Sequence, residues 1–203
     1  MVEQMLSERA IKDVRALLGH RSIVFIGLMG AGKTAIGRRV AQVLALPFID
    51  SDDEIEAASR MSIPDLFDLY GEDEFRSLER RVLLRLLKEP AQVISSGGGA
   101  FMNDETRREI SSHGYSVWLK ADIDLLLERV SRRQNRPLLQ GTDPREVMEQ
   151  LMEVRYPVYA NADVTVESRD ITKDEMAGAV IDALADLLRQ KTSGAKGSSD
   201  ARG

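Results

Sequence analysis

The chain has 203 residues, 43% of them hydrophobic and 30% charged, with 28 Lys+Arg against 33 Asp+Glu for a net charge of −5. That is one globular domain with appendages, large enough for a sizeable core, and its acidic balance argues against broad binding to nucleic acid or an anionic membrane while leaving room for a local cationic pocket. The absence of cysteine excludes disulfides, thiolate zinc sites, iron–sulfur clusters and Cys nucleophiles, and only two histidines, His20 and His113, leave little for a His-rich metal site.

The N-terminus carries Glu3, Glu8, Arg9, Lys12 and Asp13 without the apolar run of a secretory signal. No apolar run in the chain approaches the ~18 residues of a membrane span, so a cytoplasmic protein is the default expectation. Leu6, Ala10, Val14, Leu17 and Leu18 recur at helical spacing, which predicts an amphipathic helix in an N-terminal extension, residues 1–21. Ser22 to Gly27 is short, apolar and β-branched, the pattern of a buried strand running into a glycine-rich turn. Thr34 to Leu44 reads as a helix, Pro47 to Asp50 as a second strand, and about Asp53 to Arg60 as a helix. Ser62 and Pro64 open the next helix, which Gly71 stops. Asp73 to Lys88 is the longest helical pattern, with Phe75, Leu78, Val82 and Leu86 at 3–4 spacing.

Ala91 to Ser95 is a third strand that ends at Gly97-Gly98-Gly99, and Asn103 can cap the helix beyond. Tyr115 to Leu119 is a fourth strand and Asp122 to Val130 a helix. Gln134 to Thr142 is polar, with Pro137 and Gly141, and reads as a loop. Asp143-Pro144 opens another helix, Asp163 to Val166 is a fifth strand, and Thr172 with Glu175 forms a capping box for the last helix. Ser193 to Gly203 is Gly/Ser/Ala-rich, so residues 192–203 are expected as a disordered tail after a domain over 22–191. Alternating strands and helices imply an α/β fold with a parallel sheet, and ligands of such folds sit beyond the carboxyl ends of the strands. Every motif below falls there.

Gly27-Leu28-Met29-Gly30-Ala31-Gly32-Lys33-Thr34 matches G-x-x-x-x-G-K-[ST] between a strand and a helix. The loop lets consecutive N–H groups point at phosphate oxygens, and the following helix adds its positive end. Lys33 would reach the β- and γ-phosphates and Thr34 would ligate Mg²⁺. This predicts nucleoside triphosphate binding without naming the reaction. Switches and motors share the loop, but the chain is short for an effector or motor domain. The third strand ends Ile94-Ser95-Ser96-Gly97 without the usual Asp, whereas the second ends Asp50-Ser51-Asp52. If the chain stays extended there, both Asp side chains point the same way, one toward metal-bound water and one toward an acceptor hydroxyl. The competing reading is that Asp52 or Asp53 only caps the next helix. Gly97-Gly98-Gly99 allows close backbone approach to a ligand, or simply makes a tight turn. Arg76, Arg136 and Arg155 are individually ordinary, although Arg136 in the polar loop could close over ATP and exclude water.

Taken together, six pieces in order resemble the shikimate kinase family. They are the phosphate loop, Asp50-Ser51-Asp52, Glu74-Phe75-Arg76, Gly97-Gly98-Gly99-Ala100, Arg136-Pro137-Leu138-Leu139, and Arg155-Tyr156-Pro157-Val158-Tyr159. The resemblance runs from about Ser22 to about Arg189 and implies a three-layer α/β/α P-loop fold with a five-stranded parallel sheet in the order 2-3-1-4-5. It implies transfer of the ATP γ-phosphoryl group to the 3-hydroxyl of shikimate, on the route to chorismate and aromatic amino acids, by a monomer. It places Gly30, Ala31, Gly32, Lys33, Thr34, Ala35 and Arg136 on ATP, and Thr34 and Asp50 at Mg²⁺. It places Asp52, Arg76, Gly97, Gly98, Gly99 and Arg155 on shikimate, with the two arginines at the carboxylate. Lys33, Asp52 and Arg136 would be catalytic, Asp52 as candidate base, and Arg132 or Arg133 would lie against adenine. Arg136 belongs to a lid over about residues 131–144. One departure is Thr34-Ala35, where the family usually has two successive hydroxyl residues. Two other readings stay open on the residues alone: a kinase of another acceptor, such as gluconate or a nucleoside monophosphate, and a nucleotide-binding module without turnover.

Overall fold

The computed structural model describes residues 7–131 and 143–199. Five strands form one parallel sheet: β1 (Ser22–Ile26), β2 (Phe48–Asp50), β3 (Val93–Ser95), β4 (Gly114–Lys120) and β5 (Val164–Glu167), in the order β2-β3-β1-β4-β5. The central strand β1 is buried along its whole length, with Ile23 against Val93 on one side and Tyr115 on the other. Such a strand is covered on both faces, which is why it reads as an unbroken apolar run. Helices α1 (Glu8–Leu17), α2 (Lys33–Leu44), α3 (Ser51–Ser59), α4 (Ile63–Leu86), α5 (Asp104–His113), α6 (Ile123–Ser131), α7 (Pro144–Tyr159) and α8 (Lys173–Ser199) surround the sheet as a three-layer α/β/α P-loop fold. No helix of the described residues is long and apolar enough to cross a membrane.

Most element boundaries follow local chemistry. Asn103 accepts from the Thr106 N–H at 3.0 Å to cap α5, and Asp143 accepts from the Arg145 N–H at 2.9 Å to cap α7. Thr172 and Glu175 exchange bonds as a capping box. Gly71 sits inside α4 at φ 78°, ψ 174°, so the helix is two helices meeting at a kink, the stop that the glycine predicts. Two expectations need correction. The helix expected from Asp53 begins at Ser51, directly after β2, because Asp50 itself caps it. The last helix stays helical through Ser199, past the Ser193 at which the composition suggests a tail. An established helix adds residues at little cost, even through weak formers such as Gly194 and Gly197.

The N-terminal helix is packed onto the domain. Ala10 and Val14 of α1 are buried in the main core beside α8 and α2. Arg15 donates to the carbonyls of Val43 at 2.7 Å and Leu44 at 3.1 Å, satisfying acceptors at the C-terminal end of α2. Arg189 of α8 pairs with Asp13 of α1 at 2.6 Å. Because α2 begins with the Lys33 of the phosphate loop, α1 braces the far end of the helix that carries the loop.

Candidate active site

The carboxyl ends of β1, β2 and β3 lie side by side, since Phe25 pairs with Ser95 and Ser95 with Asp50. Beyond β1 the loop curls over the start of α2. Gly32 takes φ 97°, a conformation that a Cβ would strain, and it caps the helix without a side chain in the way. The Lys33 ammonium reaches back across the loop to the carbonyls of Gly27 at 2.8 Å and Leu28 at 3.1 Å. Outside the loop, Arg129 of α6 donates to the Ser168 hydroxyl at 2.8 Å and the Arg169 carbonyl at 2.8 Å. Ser168 in turn donates to the Ala31 carbonyl at 3.0 Å, so the loop is held from behind.

Thr34 Oγ1 donates to Asp50 Oδ2 at 2.9 Å and lies 3.4 Å from Ser95 Oγ. Asp50 thus stands where β3 lacks an Asp: it comes from the neighbouring strand, in register with Ser95. These hard oxygen donors beside a phosphate loop suit Mg²⁺, which takes few protein ligands and completes its shell with phosphate and water. Among the described residues no group of three or more acidic or His side chains forms a metal cage of its own. Asp50 and Asp52 do not lie along one extended face. The chain turns into α3 at Ser51, and the other oxygen of Asp50 accepts from the Asp52 N–H at 3.1 Å. Asp50 is therefore the cap as well as the partner of Thr34, and Asp52 sits in the first turn of α3. Burial first, and then the Asp50 carboxylate, push the Asp52 carboxyl up to about 6, while the nearby Lys33 charge acts in the opposite direction.

Ser51 is buried, and its hydroxyl accepts from the Gly97 N–H at 3.0 Å, fixing the start of the glycine triplet against α3. Each of the three glycines then meets a different charged side chain. A Cβ on Gly97 would overlap Glu79 Oε1 and lie 3.2 Å from Asp52 Oδ1. On Gly98 it would lie 3.1 Å from the Arg155 Nη1, and on Gly99 it would overlap the Arg76 guanidinium. Asp52, Arg76 and Arg155 come from three helices and converge on one strand-end turn. Arg76 is held by Glu79 at 2.8 Å and Glu72 at 3.1 Å on its own helix. A cavity of about 160 Å³ opens beside Arg76, Glu79, Arg80 and Gly99, and extends to neither Lys33 nor Asp52. Of the sequence-predicted residues, Arg136 lies outside the described residues, as do Arg132, Arg133 and most of the expected lid. Ala35 is half-buried in the first turn of α2.

Glu79 was not among the predicted site residues. It is buried, its Oε2 holds Arg76, and its Oε1 has no hydrogen-bond partner among the described residues. Burial raises its carboxyl while Arg76 lowers it, with a net rise. Its sequence signal is spacing: it lies three residues after Arg76, on the same face of α4. The Arg129–Ser168 brace has no comparable signal, since its partners are 39 residues apart.

A phosphate loop, oxygen donors that suit Mg²⁺ and two arginines converging with a carboxylate on the glycine turn beyond β3 fit an ATP-dependent P-loop kinase of a small molecule. The shikimate kinase family model matches residues 29–185, and the chain belongs to that family. It is 65% identical over 167 residues to a shikimate kinase of Mesorhizobium japonicum, covering 82% of each chain. It is 57% identical over 182 residues to a shikimate kinase of Rhizobium leguminosarum bv. trifolii, covering 89% of this chain and 93% of that one. Among solved structures, the shikimate kinase of Acinetobacter baumannii in complex with shikimate superposes with a TM-score of 0.78 at 35% identity, covering 84% of this chain and 94% of that one.

Proposed function

We propose that this chain transfers the γ-phosphoryl group of MgATP to the 3-hydroxyl of shikimate, giving shikimate 3-phosphate and ADP, as a cytoplasmic monomer without nucleic acid or membrane partners. The observation that carries this reading is the convergence of Asp52, Arg76 and Arg155 on Gly97–Gly99, beside the phosphate loop. The acceptor is a ring bearing a carboxylate and hydroxyls. Two guanidinium forks suit the carboxylate, and a carboxylate side chain suits the hydroxyls.

In this reading, Gly30, Ala31, Gly32 and the N–H groups at the start of α2, Ala35 among them, hold the β- and γ-phosphates. Lys33 swings from the Gly27 and Leu28 carbonyls onto the same oxygens. Thr34 and Asp50 would hold Mg²⁺, and the ion when bound would neutralise charge on the phosphates. Arg76 and Arg155 fix the acceptor carboxylate, Gly97–Gly99 let the ring approach the backbone, and Asp52 receives the proton of the 3-hydroxyl. The oxygen of that hydroxyl bonds to the γ-phosphorus as the bond to the β-phosphate oxygen breaks, and ADP departs. Positioning and charge neutralisation supply most of the catalysis in such a transfer.

The direct test mixes the protein and MgATP with shikimate, gluconate, AMP or no acceptor and follows ADP release. Release with shikimate alone is expected; release with another acceptor voids the acceptor-site roles. A second test is Gly99→Ala. The new methyl displaces the end of a flexible arginine rather than backbone, so melting should change little. The displaced Arg76 should raise the shikimate KM by about tenfold, the loss of one charge-assisted contact. An unchanged shikimate KM would remove Arg76 from the site.

A further inference from the structure

Arg155 and Tyr159 lie four residues apart near the end of α7, on one face of the helix. Tyr159 is fully buried, an unusual place for a phenol unless its hydroxyl is used. That hydroxyl donates to the carbonyl of Gly98, the middle glycine of the acceptor turn. The Arg155 guanidinium lies against the same oxygen, and Glu79 and Arg76 act on it from further off. The ring cannot turn away. Trp118 stands at 5.9 Å, Tyr156 at 6.3 Å and Phe101 at 6.4 Å between centroids, and Tyr156 is itself tied by its hydroxyl to the Ala121 carbonyl at 2.5 Å. Burial also raises the Tyr159 pKa, so the phenol stays a donor throughout the working pH range.

We propose that Tyr159 is a positioning residue for the acceptor site: its single hydroxyl ties the Gly98 carbonyl and the Arg155 guanidinium together, and so sets the distance between the turn that receives the ring and the cation that receives the carboxylate. A phenol suits the task because it donates and accepts at one atom. A lysine or arginine there could only donate, and would repel Arg155. The same geometry explains Gly98, where a Cβ would stand 3.1 Å from the Arg155 Nη1 and 3.9 Å from the Tyr159 hydroxyl. A side chain at Gly98 would press on the Arg155 guanidinium, which would have to give by a few tenths of an ångström. The inference rests on the acceptor reading given above, with Arg155 at the carboxylate.

The test is Tyr159→Phe, which keeps the ring and its packing and removes one oxygen. Initial rates are measured against shikimate and, separately, against ATP, together with a thermal melt. The shikimate KM should rise about tenfold, the worth of one lost hydrogen bond to a charged group. The ATP KM should stay within twofold. Arg155→Lys and the double variant complete a cycle, in which the second change should cost much less once the first is made. Trp118, the chain's only tryptophan, packs against Tyr156 and Tyr159, so its fluorescence reports shikimate binding without turnover. A merely structural tyrosine would lower the melting temperature and weaken both substrates alike, or neither, and would add fully to Arg155→Lys; either result overturns the proposal. If Tyr159→Phe does not fold, Tyr159→Met fills the apolar space without the hydroxyl and carries the same expectations. Failure of the parent protein to use shikimate at all would overturn the acceptor reading instead, a result distinct from an unchanged KM in the variant.

Discussion

Lys33→Met is expected to lower kcat by about 10³-fold or more, with shikimate binding retained. The reason is local. Charge develops on the transferred phosphoryl group, and Lys33 is the cation that the phosphate loop itself supplies. In the structure its ammonium already spans the loop, bonded to the carbonyls of Gly27 and Leu28, so moving to the phosphates exchanges two neutral acceptors for charged ones. A second consequence separates this loss from general damage. Lys33 is the neighbour that holds the Asp52 carboxyl down against burial and Asp50. Without it Asp52 should bind its proton more tightly, and the acid limb of the residual rate should move to higher pH. Single-turnover rates across pH 5 to 9, flanked by a shikimate titration through Trp118, measure both. A rate within tenfold of the parent would remove Lys33 from the phosphoryl-transfer machinery.

How much of this was legible beforehand depends on whether the signal is contiguous. The phosphate loop is eight successive residues between a strand and a helix, so its chemistry and its context could be read together. Helix caps such as Asn103 and Asp143 are equally local. Sheet order is not: five short apolar runs can be arranged many ways, and only the resemblance in motif order supplied 2-3-1-4-5. Asp50 and Asp52 show the middle case. Their spacing suggested one extended face, but an Asp that ends a strand can also cap the helix after it, and Asp50 does so while bonding Thr34. Tertiary geometry decided between two rules that each fit the sequence. Glu79 could have been found from its position one turn beyond Arg76. Tyr159 lies four residues after Arg155, and nothing in that spacing shows that its hydroxyl reaches a turn 61 residues away.

Asp52→Asn should show what that carboxylate costs as well as what it does. With Asp52 as the base that takes the hydroxyl proton, the substitution should lower kcat by about 10²–10⁴-fold. Its folded pKa of about 6 lies above the ordinary 3.8, because burial and then Asp50 disfavour the charge. The sign for stability follows. The folded state binds the proton more tightly than the unfolded one, so this group favours folding below pH 3.8, and that contribution is lost as pH rises through about 6. Above that, the ionised carboxylate is a net cost. Asparagine cannot ionise, so Asp52→Asn should melt higher than the parent at pH 8, by about 2–4 °C for a gain on the order of 1 kcal/mol after screening, and no higher at pH 4. The parent rate should fall as pH drops through about 6, when the base becomes protonated, and the variant should lack that limb. A variant that is slower but no more stable at pH 8 would mean that Lys33 neutralises the carboxylate fully in the free protein. A variant that keeps both its rate and the acid limb would transfer the base role elsewhere, with Glu79 the nearest buried carboxylate across Gly97. Where slower and more stable occur together, the chain carries a buried charge that opposes its own folding, and it is the hydroxyl proton of the acceptor that gives that charge a use.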